Sequence, residues 1–108
     1  MRDRLPAITH LQFLVLGLLR SGERPGRAIR EVLASYGVRR SGPAFYQMMA
    51  RLERDNLVEG WYEQVEAGDQ SVTERRYRLK PAGSKAWAET RTFYEAAFAP
   101  PRTRWSNA

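Results

Sequence analysis

Apolar positions recur along this chain with helical spacing in its first half and with strand-like character beyond residue 56. Leu11, Leu14, Val15, Leu18 and Leu19 fall at i, i+3, i+4, i+7 and i+8, one face of a helix. Phe13 and Leu16 widen that face, so the first helix is expected to be covered on most sides. Thr9 and Gln12 have the spacing of a capping box, which predicts a start near Thr9. Arg20 to Gly26 carries the Gly and Pro signals of a loop, and Ile29, Val32, Leu33 and Tyr36 then repeat the helical spacing until Gly37 supplies a left-handed cap. On the other face of this second helix Arg24, Arg27 and Arg30 are expected to meet solvent or phosphate.

Ser41-Gly42-Pro43 is a helix start, a side-chain cap followed by Pro in the first turn. Phe45, Met48, Met49 and Leu52 form the apolar stripe of the third helix, which leaves Ala44, Tyr46, Gln47, Ala50, Arg51 and Arg54 on its remaining surface. Asn56, tolerant of the left-handed region, is expected to end it. Residues 57–66 and 72–79 are rich in β-branched and aromatic side chains and flank Ala67-Gly68-Asp69-Gln70-Ser71, a hairpin with a flexible tip. Pro81 and Gly83 open a last helix that carries Trp87, Phe93, Tyr94 and Phe98 near one face and stops at Pro100-Pro101. Three helices with a tight turn between the second and third, followed directly by a hairpin, predict a mainly α (α+β) winged helix-turn-helix. The division expected is residues 1–80 for that domain, 81–99 for a C-terminal dimerisation helix and 100–108 for a disordered tail.

Charge sharpens this picture. The chain of 108 residues has a net charge of +6, and residues 20–54 hold eight arginines against three glutamates. Residues 55–80 carry a net negative charge instead, six carboxylates against four cations. A basic stripe confined to one part of a small domain is the footprint of a polyanion partner, because clustered guanidinium groups release counterions from phosphates. With no cysteine and a single histidine, His10, the sequence offers no thiol nucleophile, disulfide framework or metal ligand set. No serine has a base-and-orienter set, and no glycine-rich loop follows a strand, so neither catalysis nor a cofactor is expected. The longest apolar run, Phe13 to Leu19, is short of a membrane span and no signal peptide is evident, which reads as a cytoplasmic protein.

Three stretches resemble the PadR family of bacterial transcriptional regulators. Gly26-Arg-Ala-Ile29 is similar to the Gly-Tyr-x-Ile that opens that family's second helix. Tyr46-Gln-Met-Met-Ala-Arg-Leu-Glu53 with Asn56-Leu57-Val58 resembles its Tyr-x-x-Leu-x-x-Leu-Glu and closing Gly-Leu-Ile, and Tyr77-Arg-Leu-Lys-Pro-Ala-Gly83 resembles its Tyr-x-Leu-Thr-x-x-Gly. Arg27, Met49, Asn56 and Lys80 depart from the family residues; Lys80 in place of Thr removes an N-cap oxygen from the last helix, worth about 1 kcal/mol. The resemblance implies a homodimer built on the last helix and the first, with two recognition helices about 34 Å apart on a palindrome.

The candidate DNA contacts follow. Gln47 is the best base reader, since its amide can pair bidentately with adenine, and the resemblance puts Tyr46 at the backbone or groove wall. Arg39, Arg40 and Arg51 suit phosphates, with Arg27, Ser41 and Ala44 beside them and Arg75 and Arg76 on the wing. Glu59, Glu63, Glu66 and Asp69 make the wing a weak contributor, and its arginines have cross-strand pairing with those carboxylates as an alternative. Arg51 has an ion pair with Asp55 as its alternative. Leu11, Trp87, Phe93, Tyr94 and Phe98 are the candidate dimer residues; in some relatives such aromatics bind flat hydrophobic ligands that weaken DNA binding, although plain packing is the simpler role here. The competing function is a winged-helix protein-interaction module whose arginines only solvate the surface.

Overall fold

A computed structural model describes residues 4–101. Its elements in chain order are α1 (His10–Leu18), a 3-10 turn (Leu19–Ser21), β1 (Arg24–Pro25), α2 (Gly26–Ser35), α3 (Gly42–Arg54), β2 (Val58–Ala67), β3 (Gln70–Leu79) and α4 (Pro81–Ala97). Most of the tail expected to be disordered, residues 102–108, lies outside the described residues.

Local chemistry accounts for the helix limits. The Thr9 hydroxyl accepts from the Gln12 N–H at 3.1 Å and the Gln12 amide oxygen accepts from the Thr9 N–H at 2.9 Å, so both halves of the capping box form. Ser41 caps α3 by accepting from the Ala44 N–H at 3.2 Å. The two central helices end alike. Gly37 at φ +83° lets its own N–H reach Ala34 O and the Val38 N–H reach Leu33 O, both at 2.9 Å. Asn56 at φ +66° does the same for Glu53 O and Leu52 O. In each case a left-handed residue turns two otherwise unpaired carbonyls back into the chain.

The expected stripes converge on one core. Val15, Leu16 and Leu19 meet Ile29 and Leu33 of α2, Phe45, Met49 and Leu52 of α3, and Val58 and Tyr77 of the hairpin, all at most 2 % exposed. Tyr36 is a correction. It stands 65 % exposed because α2 stops at Ser35, and the chain swings away before the fourth position of the stripe is reached.

The sheet is antiparallel in the order β1-β3-β2. β2 and β3 pair from Val58↔Leu79 to Ala67↔Gln70, so the turn is the two residues Gly68-Asp69, shorter than the expected five-residue tip. Gly68 at φ +66° takes the first central position, where a two-residue hairpin turn of the II′ class needs glycine. Arg24 and Pro25, expected in a loop, pair with Tyr77 and Arg76 as a third strand. Two residues are too few to show a period, and Pro is tolerated because this strand lies at the edge.

α4 packs its first half on α1. Trp87 stacks on Phe13 at 5.8 Å, and a Cβ on Gly17 would meet Trp87 Nε1 at 2.8 Å, which explains a glycine inside α1. The buried Thr90 hydroxyl donates to Ala86 O at 2.7 Å. Lys80 occupies the N-cap of α4 with extended backbone (φ −98°, ψ 164°) and no side-chain hydrogen bond. Lys80→Ser is therefore expected to raise stability by about 1 kcal/mol, read as a higher urea midpoint at unchanged slope.

Candidate nucleic-acid interface

α3 turns Phe45, Met49 and Leu52 inward, so the opposite face carries Ala44, Gln47, Arg51 and Arg54 at i, i+3, i+7 and i+10. Gln47, Arg51 and Arg54 are exposed and Ala44 is half-buried. The turn from α2 into α3 adds Arg39 and Arg40, both exposed, and Ser41, whose hydroxyl is engaged as the helix cap. Among the described residues no carboxylate lies within ion-pair distance of Arg39, Arg40, Arg51 or Arg54, and Asp55 does not pair with Arg51. Like charges held this close without counter-charges raise the local positive potential, the condition under which a polyanion is attracted most strongly.

The arginines of the wing are committed within the fold. Arg75 Nη2 donates to Glu53 Oε1 at 2.6 Å and lies over the Tyr62 ring at 4.6 Å. Arg76 reaches Glu74 at 2.6 Å and Glu23 at 3.1 Å, and Arg78 pairs across the strands with Glu59 at 2.6 Å. The side chains of Arg75 and Arg76 are only 21 % and 19 % exposed. Of the wing carboxylates these pairs answer Glu59, across the strands, and Glu74, on the same strand. Arg75 to Glu53 has a further consequence: it ties the wing to the C-terminal end of α3, over a Gly60 where any Cβ would meet Arg75 Nη2 at 2.8 Å and Glu53 Oε1 at 2.9 Å. The sequence reading missed this clamp, since nothing local links positions 53, 60 and 75. Beneath it, burial pushes the Tyr77 phenol up to about 12, against a partial lowering by Arg75, so it stays neutral and its ring belongs to the core.

Arg24 is turned from the face assigned to it: its Nε donates to Leu18 O at 3.0 Å, which anchors β1 to the end of α1. Arg27 projects into solvent with Glu31 at 3.7 Å and Glu74 at 3.6 Å, long contacts that a stronger anion can replace. Tyr46, 37 % exposed, sets its ring edge-on to Phe45 at 4.9 Å and against Gly26, where a Cβ would come within 2.9 Å of the hydroxyl oxygen. It closes the rim of the core and shows one edge outward.

The candidate dimer residues separate into two groups. Leu11 is half-buried against the core. Trp87 is occupied on one face by Phe13 and approached by the Arg20 guanidinium at 3.8 Å from the ring centre. Toward the C-terminal end Phe93, Tyr94 and Phe98 form an aromatic ladder, with Tyr94 stacked on Phe98 at 5.7 Å and Phe98 79 % exposed. Between this half of α4 and residues 4–8 runs a groove of about 1030 Å³ lined by Leu5, Ile8, Thr90, Phe93 and Ala97.

The layout of α1–α3, wing and α4 recurs in solved structures. A PadR-like transcription factor from Bacteroides fragilis superposes with a TM-score of 0.67 at 21% identity, covering 81% of this chain and 82% of that one. A PadR family transcriptional regulator from Eggerthella lenta gives 0.63 at 26% identity, with 81% and 73% covered. The fold is PadR-like. RosR of H. salinarum superposes with a TM-score of 0.66 at 22% identity over 96% of this chain and 89% of that one. No family model matches the chain, and no curated protein sequence matches it either. Among the described residues no helix is long and apolar enough to cross a membrane, and no group of three potential metal ligands occurs.

Proposed function

We propose that this chain is a DNA-binding transcriptional regulator that acts as a homodimer, a repressor of a palindromic operator. The observation that carries the reading is the division of the arginines: those of the wing are consumed by carboxylates, whereas Arg39, Arg40, Arg51 and Arg54 surround the exposed face of α3 without partners among the described residues. The PadR-like fold supports it, because the structures it resembles are named as transcription regulators. In this reading α3 enters the major groove, Gln47 reads a base edge, and Arg39, Arg40 and Arg51 hold phosphates, with Arg27, Ser41, Ala44 and the outer edge of Tyr46 at the margin. Arg75 ties the wing to α3 through Glu53, and Arg76 ties it to the loop before β1 through Glu23.

Fluorescence anisotropy with the duplex upstream of the protein's own gene and with random duplex, over a salt series, tests the proposal. About 6–10 phosphate contacts are expected to cost roughly 10³–10⁵ in affinity between 50 and 200 mM salt. Gln47→Ala is expected to leave binding to random duplex unchanged and to cut the preference for the upstream duplex by about tenfold, the worth of one bidentate base contact. The exposed ladder ending at Phe98 and the groove beside it support a second copy docked on α4, and light scattering at micromolar concentration is expected to give twice the 12.5 kDa chain mass. A flat hydrophobic effector would insert among Phe93, Tyr94 and the partner's helix, and reach Trp87 only by displacing Arg20. The same aromatic ladder favours the protein-interaction reading; absence of DNA binding at low salt would select it.

A further inference from the structure

Between α2 and the turn that leads into α3 lies a cleft of about 310 Å³ whose walls are Arg27, Arg30, Arg39 and Arg40. Its floor is apolar, formed by Leu33, Val38 and Phe45. Arg30 Nη2 donates to Arg40 O at 3.1 Å, which holds that guanidinium in place, and its Nε and Nη1 have no hydrogen-bond partner among the described residues. The one carboxylate at the rim, Glu31, faces Arg27 at 3.7 Å. Three cations without carboxylate partners among the described residues, Arg30, Arg39 and Arg40, therefore line an apolar floor beside Arg27, which faces Glu31 and Glu74, an arrangement that favours an anion with acceptor oxygens in several directions over a flat carboxylate. Phe45 of the floor lies in the first turn of α3.

We infer that this cleft is a seat for a single phosphate group of the DNA backbone in each protomer, gripped by Arg30 with Arg39 and Arg40, so that one phosphate sets the register of α3 in the groove. The inference rests on the DNA-binding reading above and adds to it that Arg30 of α2, expected only to meet solvent or phosphate, shares one ligand with the arginines of the turn. Arg30 is half-buried, and its guanidinium is placed by a carbonyl ten residues further along the chain.

Ethylation interference provides the test, on a duplex that the wild-type protein selects from a random library. For the wild type, ethylating one particular phosphate per half-site is expected to weaken binding about tenfold. Arg30→Gln and Arg40→Gln are each expected to weaken binding to the unmodified duplex by about the same factor and to become indifferent to ethylation at that one phosphate, with interference elsewhere retained. Arg40→Gln leaves the carbonyl that Arg30 uses intact, so its result stands even where Arg30→Gln disturbs the turn, and circular dichroism checks both folds. Loss of interference at two different phosphates, or at none, overturns the shared seat while leaving DNA binding in place. Inorganic phosphate at millimolar concentration that raises the melting temperature of the wild type but not of either variant, with no interference difference on DNA, assigns the cleft to a free anion and overturns the backbone source. A wild-type protein that selects no duplex at all overturns the DNA reading itself.

Discussion

Gly83→Ala is expected to destabilise the fold by about 3 kcal/mol, the upper part of the range for forcing an extra methyl group into a packed interior. The position is the third residue of α4, fully buried, and a Cβ there would stand 2.0 Å from Leu57 O and 2.9 Å from Leu79 Cδ1. The carbonyl has no room to retreat, since it also accepts the Lys80 N–H at 3.0 Å and Leu57 follows directly on the left-handed Asn56. The new methyl would push the start of α4 off the hairpin, and with it the packing of Trp87 on Phe13 and Gly17. Urea unfolding followed by tryptophan fluorescence checks this, with Ser84→Ala, an exposed neighbour on the same helix, expected to shift stability by no more than about 0.5 kcal/mol. A loss for Gly83→Ala no larger than that of the control would mean that α4 relaxes away from Leu57 at little cost.

Replacing Arg39, Arg40 and Arg51 together by Gln is expected to lower affinity for duplex DNA on the order of 10³-fold at about 150 mM salt. At least two phosphates per protomer, and so about four per dimer, would lose their cations, and the slope of log affinity against log salt should flatten by about 3.6. All three side chains are exposed and none makes an ion pair among the described residues, so the folded state loses no contact and the unfolding midpoint should hold. Lys85→Gln is the control: it removes one cation from α4, where Lys85 faces Glu89 at 3.9 Å, and should leave the slope as it was. An equal effect per cation removed in the two variants would show that only overall charge draws DNA to the protein, and the case for α3 as the contact surface would fail.

The helices were legible because their signals are local. Thr9 with Gln12 and Ser41 with Ala44 are contacts between residues three apart, and Gly37 and Asn56 close helices through carbonyls within five residues of them. The same reasoning failed where a residue's role depends on a distant one. β1 exists only because Arg24 and Pro25 meet Tyr77 and Arg76, more than fifty positions later, and the two-residue hairpin turn follows from a ladder that pairs all ten residues of each strand.

For the interface the divide is sharper. Composition by segment placed the positive charge in residues 20–54, and the helical stripe put Gln47 and Arg51 on the outer face of α3. It did not separate Arg51, exposed and without an ion pair among the described residues, from Arg75, whose partner Glu53 lies 22 positions earlier, or from Arg24, turned onto the end of α1. Charge is a property of a residue and can be counted along the chain. Whether that charge is available depends on which carboxylate or carbonyl the fold brings to within 3 Å of it. The sequence by itself determined the helices, the hairpin, the core stripes and the sign of the surface, all consequences of side-chain periodicity and short-range hydrogen bonds. Only the tertiary structure decided which arginines remain free, that Trp87 is committed to α1, and that a glycine must stand at 83, because each of these is a distance between atoms far apart in the chain.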